Sequence, residues 1–159
     1  MTDEYFMTEA LRLADEAAAE GEVPVGCVIT LGEKVVGTGR NRRELGKNAL
    51  AHAEIEAIHN ACNTLGGWRL WQCTLYVTLE PCPMCAGAII NARIPRVVYG
   101  AKDPKAGCCG TLTDLFALPF NHKPTVESGC MEEACTKRLT EFFRRLRQKN
   151  APAEDVSAP

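Results

Sequence analysis

Residues 74–85 read TLYVTLEPCPMC, a stretch that joins a strand pattern directly to a helix start. Its first part, 74–80, is the nearly continuous apolar and β-branched run that is typical of a strand buried on both faces of a sheet. Proline is favoured in the first turn of a helix, so Pro83 predicts a buried helix over 83–91. Cys82 and Cys85 would then lie together at its N-terminus. A buried strand that leads into a helix in this way indicates an α/β fold.

Outward from this stretch, the patterns predict elements in the order α-β-β-α-β-α-β-α-β-α. Helical spacing of apolar residues predicts a first helix that begins after Thr2 and ends near Gly21, and a last helix from about Glu132 to Lys149. Two short β-rich runs flank Gly32-Glu33 and predict a hairpin. The order predicts a three-layer α/β/α sandwich around a mixed five-stranded sheet.

The length of 159 residues is most economically explained by one domain, which we assign to 1–150. The segment 151–159 is rich in proline and alanine, and we expect it to be disordered. No apolar run approaches the ~20 residues that span a bilayer. The acidic start at Met1–Glu4 is unlike the basic start of a signal peptide. We therefore expect a cytoplasmic protein with no membrane partner.

The charge is unevenly distributed along the chain, although the net charge is only -2. Six basic side chains and the single acid Glu141 occupy residues 137–149. A local basic stripe on an acidic body indicates an anionic partner of defined shape. The alternative is a solvated helix face whose cations complement the helix dipole.

Nine cysteines are many for an intracellular protein, but a disulfide framework is unexpected in a chain of this size without a signal peptide. Two of them have a partner motif upstream, His52-Ala53-Glu54. A catalytic zinc ion takes three protein ligands and leaves the fourth position to water, and His52, Cys82 and Cys85 supply three. Thiolates are favoured at a helix N-terminus. We expect burial as small apolar side chains for most of the other seven cysteines.

Glu54 distinguishes a catalytic zinc site from a structural one. A structural zinc is closed by four ligands, and no convincing fourth accompanies these three in the sequence. A carboxylate two residues after the histidine can reach a zinc-bound hydroxide without binding the metal, and we predict that it shuttles the proton. His-x-Glu followed by Pro-Cys-x-x-Cys is typical of zinc-dependent nucleobase deaminases, in which the hydroxide attacks the base and ammonia leaves.

Over nearly its whole length the chain resembles the bacterial tRNA-specific adenosine deaminases, the TadA family of the cytidine-deaminase-like superfamily. The zinc motif marks only the superfamily, whereas the flanking segments are more specific. These segments are Glu22-Val-Pro-Val-Gly, Trp68-Arg-Leu, Asp103-Pro-Lys-Ala-Gly and Phe142-Phe-Arg. One departure is Asn48-Ala49-Leu50, where many relatives have Asp-Pro-Thr.

The resemblance implies hydrolytic conversion of the wobble adenosine to inosine in a tRNA anticodon stem-loop. It implies a homodimer with one Zn²⁺ per subunit and no organic cofactor. It assigns zinc binding to His52, Cys82 and Cys85 and proton transfer to Glu54. It also places Asn41 against the target base, a residue that the sequence alone would interpret as a turn.

An RNA substrate requires a backbone-binding rim around the base pocket, because loop bases are splayed out when proteins read them. We expect Lys105 and Arg144 to belong to this rim, together with Lys102, Arg145 and Arg147. Each is equally well interpreted as a solvent-facing charge.

Three alternative functions remain open at this point. Guanine deaminases share His-Ala-Glu and Pro-Cys-Pro-Met-Cys, but a free-base enzyme has no use for the basic C-terminal helix. A non-catalytic RNA-binding subunit with a structural zinc would not need Glu54. A thiol redox protein built on Cys82 and Cys85 would explain neither His52 nor Glu54.

Overall fold

The structure is a computed structural model that describes the backbone of residues 1–157 and the side chains of residues 1–150. The helices are α1 (Asp3–Ala19), α2 (Ala53–Leu65), α3 (Pro83–Asn91) and α4 (Glu132–Ser157), with a 3-10 turn at Leu115–Ala117. The strands are β1 (Gly26–Leu31), β2 (Lys34–Arg40), β3 (Cys73–Leu79), β4 (Arg96–Ala101) and β5 (Thr125–Glu127). The predicted order of elements is confirmed.

The five strands form one mixed sheet in the order β2-β1-β3-β4-β5. β1 and β2 are antiparallel and joined by the predicted two-residue turn, in which Gly32 adopts a φ of 61°. β1 also pairs antiparallel with β3, whereas β3, β4 and β5 are parallel. The parallel pairing of β3 with β4 follows from the α3 crossover between them, since parallel neighbours need a long connection.

Helices cover both faces of the sheet, which confirms the predicted three-layer α/β/α sandwich. Val28, Tyr76 and Val98 are paired across β1, β3 and β4 and pack in one cluster with α1 and α4. Their strand neighbours, including Ile29 and Leu75, point the other way into a second cluster with α2 and α3. β3 is therefore buried on both faces, as its sequence predicts.

The C-terminal helix is longer than predicted. α4 continues to Ser157, whereas the sequence pattern indicates an end at about Lys149. The side chains of 151–159 and the backbone of 158–159 lie outside the described part of the chain. The predicted disorder of 151–159 therefore stays a prediction. The assignment of 1–150 to one domain also stays a prediction. Within the described residues no helix combines the length and the apolar character needed to cross a membrane.

Two glycines of β2 bring α2 unusually close to the sheet. A side chain at Gly37 or Gly39 would collide with the α2 backbone, at Gly39 with the carbonyl of Ala53 and with the amide nitrogen of Ala57. The first turn of α2 can therefore lie directly on the end of β2. This contact fixes the position of His52, the residue immediately before α2.

Replacement of Gly39 by alanine tests this close approach. We expect Gly39→Ala to lower the free energy of unfolding by about 1–3 kcal/mol, because the added methyl group forces α2 away from β2. Urea unfolding followed by circular dichroism would measure the change. Gly67→Ala is the matched control, since an added methyl group at Gly67 meets nothing within 4 Å. Equal stability of the two variants would contradict the role assigned to Gly39.

Candidate functional site

Two helix N-termini meet at one point and bring the predicted metal ligands together. His52 is the N-cap residue of α2 and Cys82 the N-cap residue of α3, both with extended backbone. Neither side chain caps its own helix, so both remain available to bind something else. Cys85, in the first turn of α3, is fully buried and completes the group.

The geometry of this group fits a single zinc ion. His52 Nδ1 lies 3.5 Å from the Sγ atom of Cys82 and 3.5 Å from that of Cys85. With zinc–sulfur bonds of about 2.3 Å and zinc–nitrogen bonds of about 2.0–2.1 Å, a tetrahedral ion would hold nitrogen and sulfur about 3.6 Å apart. Among the described residues, this is the only set of three or more potential His, Cys, Asp or Glu ligands grouped for one ion.

The two thiols of the group differ in their pKa. The pKa of Cys82 is lowered to about 4, chiefly by a hydrogen bond with the Cys85 thiol and further by His52. Cys82 is therefore a thiolate at neutral pH. The pKa of Cys85 is raised, first of all because its proton is shared with Cys82. Binding of a divalent cation displaces that proton, since thiolates rather than thiols are ligands.

Glu54 lies in the first turn of α2, beside the three ligands, and only 4% of it is exposed. Burial raises its pKa to about 7, and the nearby charge of Cys82 acts in the same direction. A carboxyl group with a pKa near neutrality can both accept and return a proton.

A cavity of about 210 Å³ opens above these residues. Its lining consists of Val23, Val25, Asn41, Arg43, His52, Ala53, Glu54, Leu79, Glu80, Cys82, Asp103 and Ala106. The volume is below the roughly 300–1,000 Å³ of sites for drug-sized ligands. It suits a small, flat group such as a single base taken out of its stack.

Asn41 lies in this cavity, at the end of β2, and is buried. Its Nδ2 donates a hydrogen bond to the carbonyl of Val23 (3.3 Å), and its Oδ1 accepts one from the amide of Arg43 (3.2 Å). An amide group has two donor hydrogens and two acceptor lone pairs. One of each remains for a ligand, in an orientation that the other two bonds fix.

The structure separates the two predicted rim residues. Lys105 is exposed on the loop after β4, between Asp103 and Ala106, which line the cavity. Arg144 is exposed on α4 and lines a different, shallow groove with Lys137. α4 packs on the sheet face opposite α2 and α3. Lys105 therefore adjoins the cavity mouth, whereas Arg144 does not line the cavity.

Arg43 is a cavity residue that no sequence motif singles out. Its neighbours Arg40 and Arg42 form ion pairs with Glu20 and Glu56, at 2.8 and 2.7 Å. Among the described side chains Arg43 has no such partner. Among the described residues that line the cavity, it is the only lysine or arginine. That Arg43 has no ion-pair partner among the described side chains follows from pairings between distant elements, which the sequence does not display.

Two buried carboxylates anchor the loops on either side of the cavity. Glu22 is 1% exposed and accepts hydrogen bonds from the amides of Glu44 (3.1 Å) and Leu45 (2.7 Å), in the loop that follows Asn41. Glu80 holds the loop after β4. Burial opposes its ionisation, but hydrogen bonds from Thr111 and from backbone amides outweigh burial, and the pKa of Glu80 is lowered.

Comparison with known proteins places these features in a family. The family model of the MafB19-like deaminases matches residues 1–147. The tRNA-specific adenosine deaminase of Bacillus subtilis (strain 168) is 49% identical over 152 residues, which cover 95% of this chain and 94% of the relative.

Solved structures of deaminases are also similar to this chain. A structure from studies of A-to-I editing by tRNA:A34 deaminases at the wobble position is similar, with a TM-score of 0.82 and 44% identity, covering 85% of this chain and 99% of that one. Guanine deaminase from Bacillus subtilis is also similar, with a TM-score of 0.64 and 33% identity, covering 93% and 95%. The rival considered from the sequence therefore has the same architecture.

Metal analysis tests the ligand set. We expect the purified protein to contain one zinc ion per chain and Cys85→Ala to lose most of it, because two protein ligands hold zinc far less tightly than three. Elemental analysis by mass spectrometry, normalised to protein concentration, would measure the content. Cys135→Ala is the matched control, since Cys135 is equally buried but packs with the other cluster. Full zinc content in Cys85→Ala would show that the ligand set is wrong.

Proposed function

The chain belongs to the family of the tRNA-specific adenosine deaminases, and on that premise we propose that it hydrolyses the wobble adenosine of a tRNA anticodon loop to inosine. The observation that carries the proposal is a base-sized cavity with a buried carboxylate and a zinc-type ligand set at its floor. Lys105, exposed beside the cavity mouth, supports an RNA substrate over a free base. Guanine deamination, on the same architecture, is the second candidate.

His52, Cys82 and Cys85 would hold the zinc ion. Bound zinc supplies a Lewis acid that lowers the pKa of a coordinated water molecule to about 7. The Cys82 thiolate and the buried position of Cys85 favour this cation over harder ones, since thiolates are soft ligands.

Glu54 moves the proton in our proposal. It accepts a proton from the attacking water while the oxygen bonds to C6 of adenine. It then delivers the proton to the amino nitrogen, and the carbon–nitrogen bond breaks with release of ammonia. The overall reaction is adenosine plus water to inosine plus ammonia. Burial supports this role because it raises the pKa of Glu54 to about 7, where both directions of transfer are accessible.

Asn41 would orient the base. Its free donor and acceptor suit the edge of a purine, where ring nitrogens accept and an amino group donates, and its bonds to Val23 and Arg43 hold it in place. The target nucleotide must leave the loop stack to reach this depth.

We also propose a homodimer, as the resemblance implies. The outer face of α3 supports it, since Met84, Gly87 and Ala88 recur there at helical spacing and are only partly buried. A solution mass of one chain at micromolar concentration would contradict the homodimer.

We also propose that the protein is cytoplasmic, because a tRNA substrate would place it there.

Deamination of an anticodon stem-loop with adenosine at the wobble position tests the function. We expect inosine at that position only, and loss of at least about 1,000-fold in kcat for Glu54→Gln, because an amide cannot take the proton. Inosine would be scored by mass spectrometry of nuclease digests.

Free guanine and free adenosine would be assayed in parallel, and zinc content would be measured in Glu54→Gln. We expect the variant to retain its zinc. Turnover of guanine with no inosine in the stem-loop would favour the second candidate. Loss of zinc in Glu54→Gln would mean that Glu54 has another role.

The proposed rim is tested by the salt dependence of binding. Each of Lys105→Gln and Arg144→Gln should weaken binding of the stem-loop and reduce the slope of log affinity against log salt by about 0.7, if each cation contacts a single-strand phosphate. Fluorescence anisotropy in the Glu54→Gln background would measure this without turnover. Lys34→Gln, in the exposed hairpin, is the control. An unchanged slope would remove that residue from the rim.

A further inference from the structure

Glu80 is a buried carboxylate with no cationic partner. It follows β3 directly, two residues before Cys82, and is 2% exposed. No lysine or arginine among the described side chains forms an ion pair with it. Removal of a charge from water costs several kcal/mol unless other groups satisfy it. The groups that satisfy Glu80 therefore indicate what it does.

All of its side-chain hydrogen bonds come from one irregular loop, 103–111. Oε1 accepts bonds from the amide of Asp103 (3.1 Å) and from the hydroxyl of Thr111. Oε2 accepts bonds from the amides of Cys109 (2.9 Å) and Thr111 (3.2 Å). The two ends of the loop are thus tied to the same carboxylate.

The loop is pressed closely onto this carboxylate. A methyl group at Gly107 would lie 2.5 Å from Cδ of Glu80, so that only glycine fits there. The amide of Cys108 also bonds to the carbonyl of Pro81 (3.0 Å), beside the metal ligand Cys82. The loop has no regular secondary structure that would set its shape. Together with its own turn hydrogen bonds and the bridge between Cys109 and Asp114, these bonds hold its conformation.

The same loop forms one side of the cavity mouth. Asp103 and Ala106 line the cavity, and Lys105 stands exposed between them. Asp103 Oδ1 accepts bonds from the amides of Lys105 (2.9 Å) and Ala106 (3.2 Å). Because Glu80 holds Asp103, it also holds these two residues at the mouth indirectly. A loop that is ordered before the substrate arrives avoids the entropic cost of ordering on binding.

We propose that Glu80 is a positioning residue for substrate binding, which holds loop 103–111 in its binding conformation at the cavity mouth. Glu80 also lines the cavity, but all of its side-chain hydrogen bonds go to this loop and none to the side chains of the predicted metal ligands. Its removal should therefore raise KM and leave kcat nearly unchanged. The inference rests on the proposed function, because the substrate is the anticodon stem-loop.

Kinetics of Glu80→Gln with the stem-loop test the proposal. The amide keeps the shape but replaces one acceptor oxygen by a donor, which opposes the loop amides. We expect KM to rise about tenfold or more, kcat to stay within about twofold, and zinc content to be unchanged. Glu33→Gln, in the exposed hairpin turn, is the control for the same chemical change. A fall in kcat with unchanged KM, or loss of zinc, would overturn the proposal.

Thr111→Val provides a milder test in case Glu80→Gln does not fold. It removes a single hydroxyl bond to Glu80 and preserves the shape of the side chain. We expect a smaller rise in KM, about two- to fivefold, with kcat retained. An unchanged KM would overturn the proposal. Absence of inosine with the wild-type protein would instead contradict the proposed function, so the two failures are distinguishable.

Discussion

The convergence of two helix N-termini on one point is the constraint on which the rest of the structure depends. The N-cap positions of α2 and α3 are held by His52 and Cys82, which leave the helix ends uncapped and turn towards each other. Both helix ends carry positive dipole character, which repels a cation and attracts anions. The arrangement is therefore balanced only with thiolate charge, which the low pKa of Cys82 provides. The close packing of α2 on Gly37 and Gly39 then holds the N-terminus of α2 in its position beside that of α3.

Around this centre the protein uses buried carboxylates in two different ways. Glu54 is buried without enough hydrogen bonds to hold its charge, so its pKa rises and it can exchange a proton. Glu80 is just as buried, but it accepts four hydrogen bonds, three of them from loop amides. A carboxylate that is saturated with donors is a structural anchor, whereas an undersaturated one beside a reactive centre is suited to catalysis. The number of donors separates the two roles where burial alone does not.

The parts of the molecule that the sequence predicts well are those encoded locally. In residues 74–91 a continuous apolar run, a proline and the cysteine spacing predict a strand and a helix. The strand β3 and the helix α3 of the structure have nearly the predicted bounds. The sequence predicts the grouping of His52, Cys82 and Cys85 for the same reason, since two short motifs contain all three residues. The sequence does not predict the anchoring by Glu80, because it joins a strand end to irregular backbone that has no periodicity. It does not predict the unpaired Arg43 either, because that depends on the pairing of Arg40 and Arg42 with distant acids. For Arg144, composition identified a basic stripe but could not tell on which face of the sheet it would lie.

The shared architecture of adenosine and guanine deaminases locates the source of substrate choice. In the proposed mechanism the ligand set and the glutamate would perform the same hydrolysis on any amidine-like carbon, so they would not distinguish one base from another. Selection must come from groups that read the base edge and from groups that read what is attached to it. For the first we propose Asn41, whose remaining donor and acceptor are fixed by its bonds to Val23 and Arg43. For the second we propose the pair of loops that Glu22 and Glu80 hold at the mouth. A free base would have no contact with such loops beyond the cavity, whereas a nucleotide within an RNA loop must pass between them. The order built into these loops is therefore better explained by a polymeric substrate than by a small one.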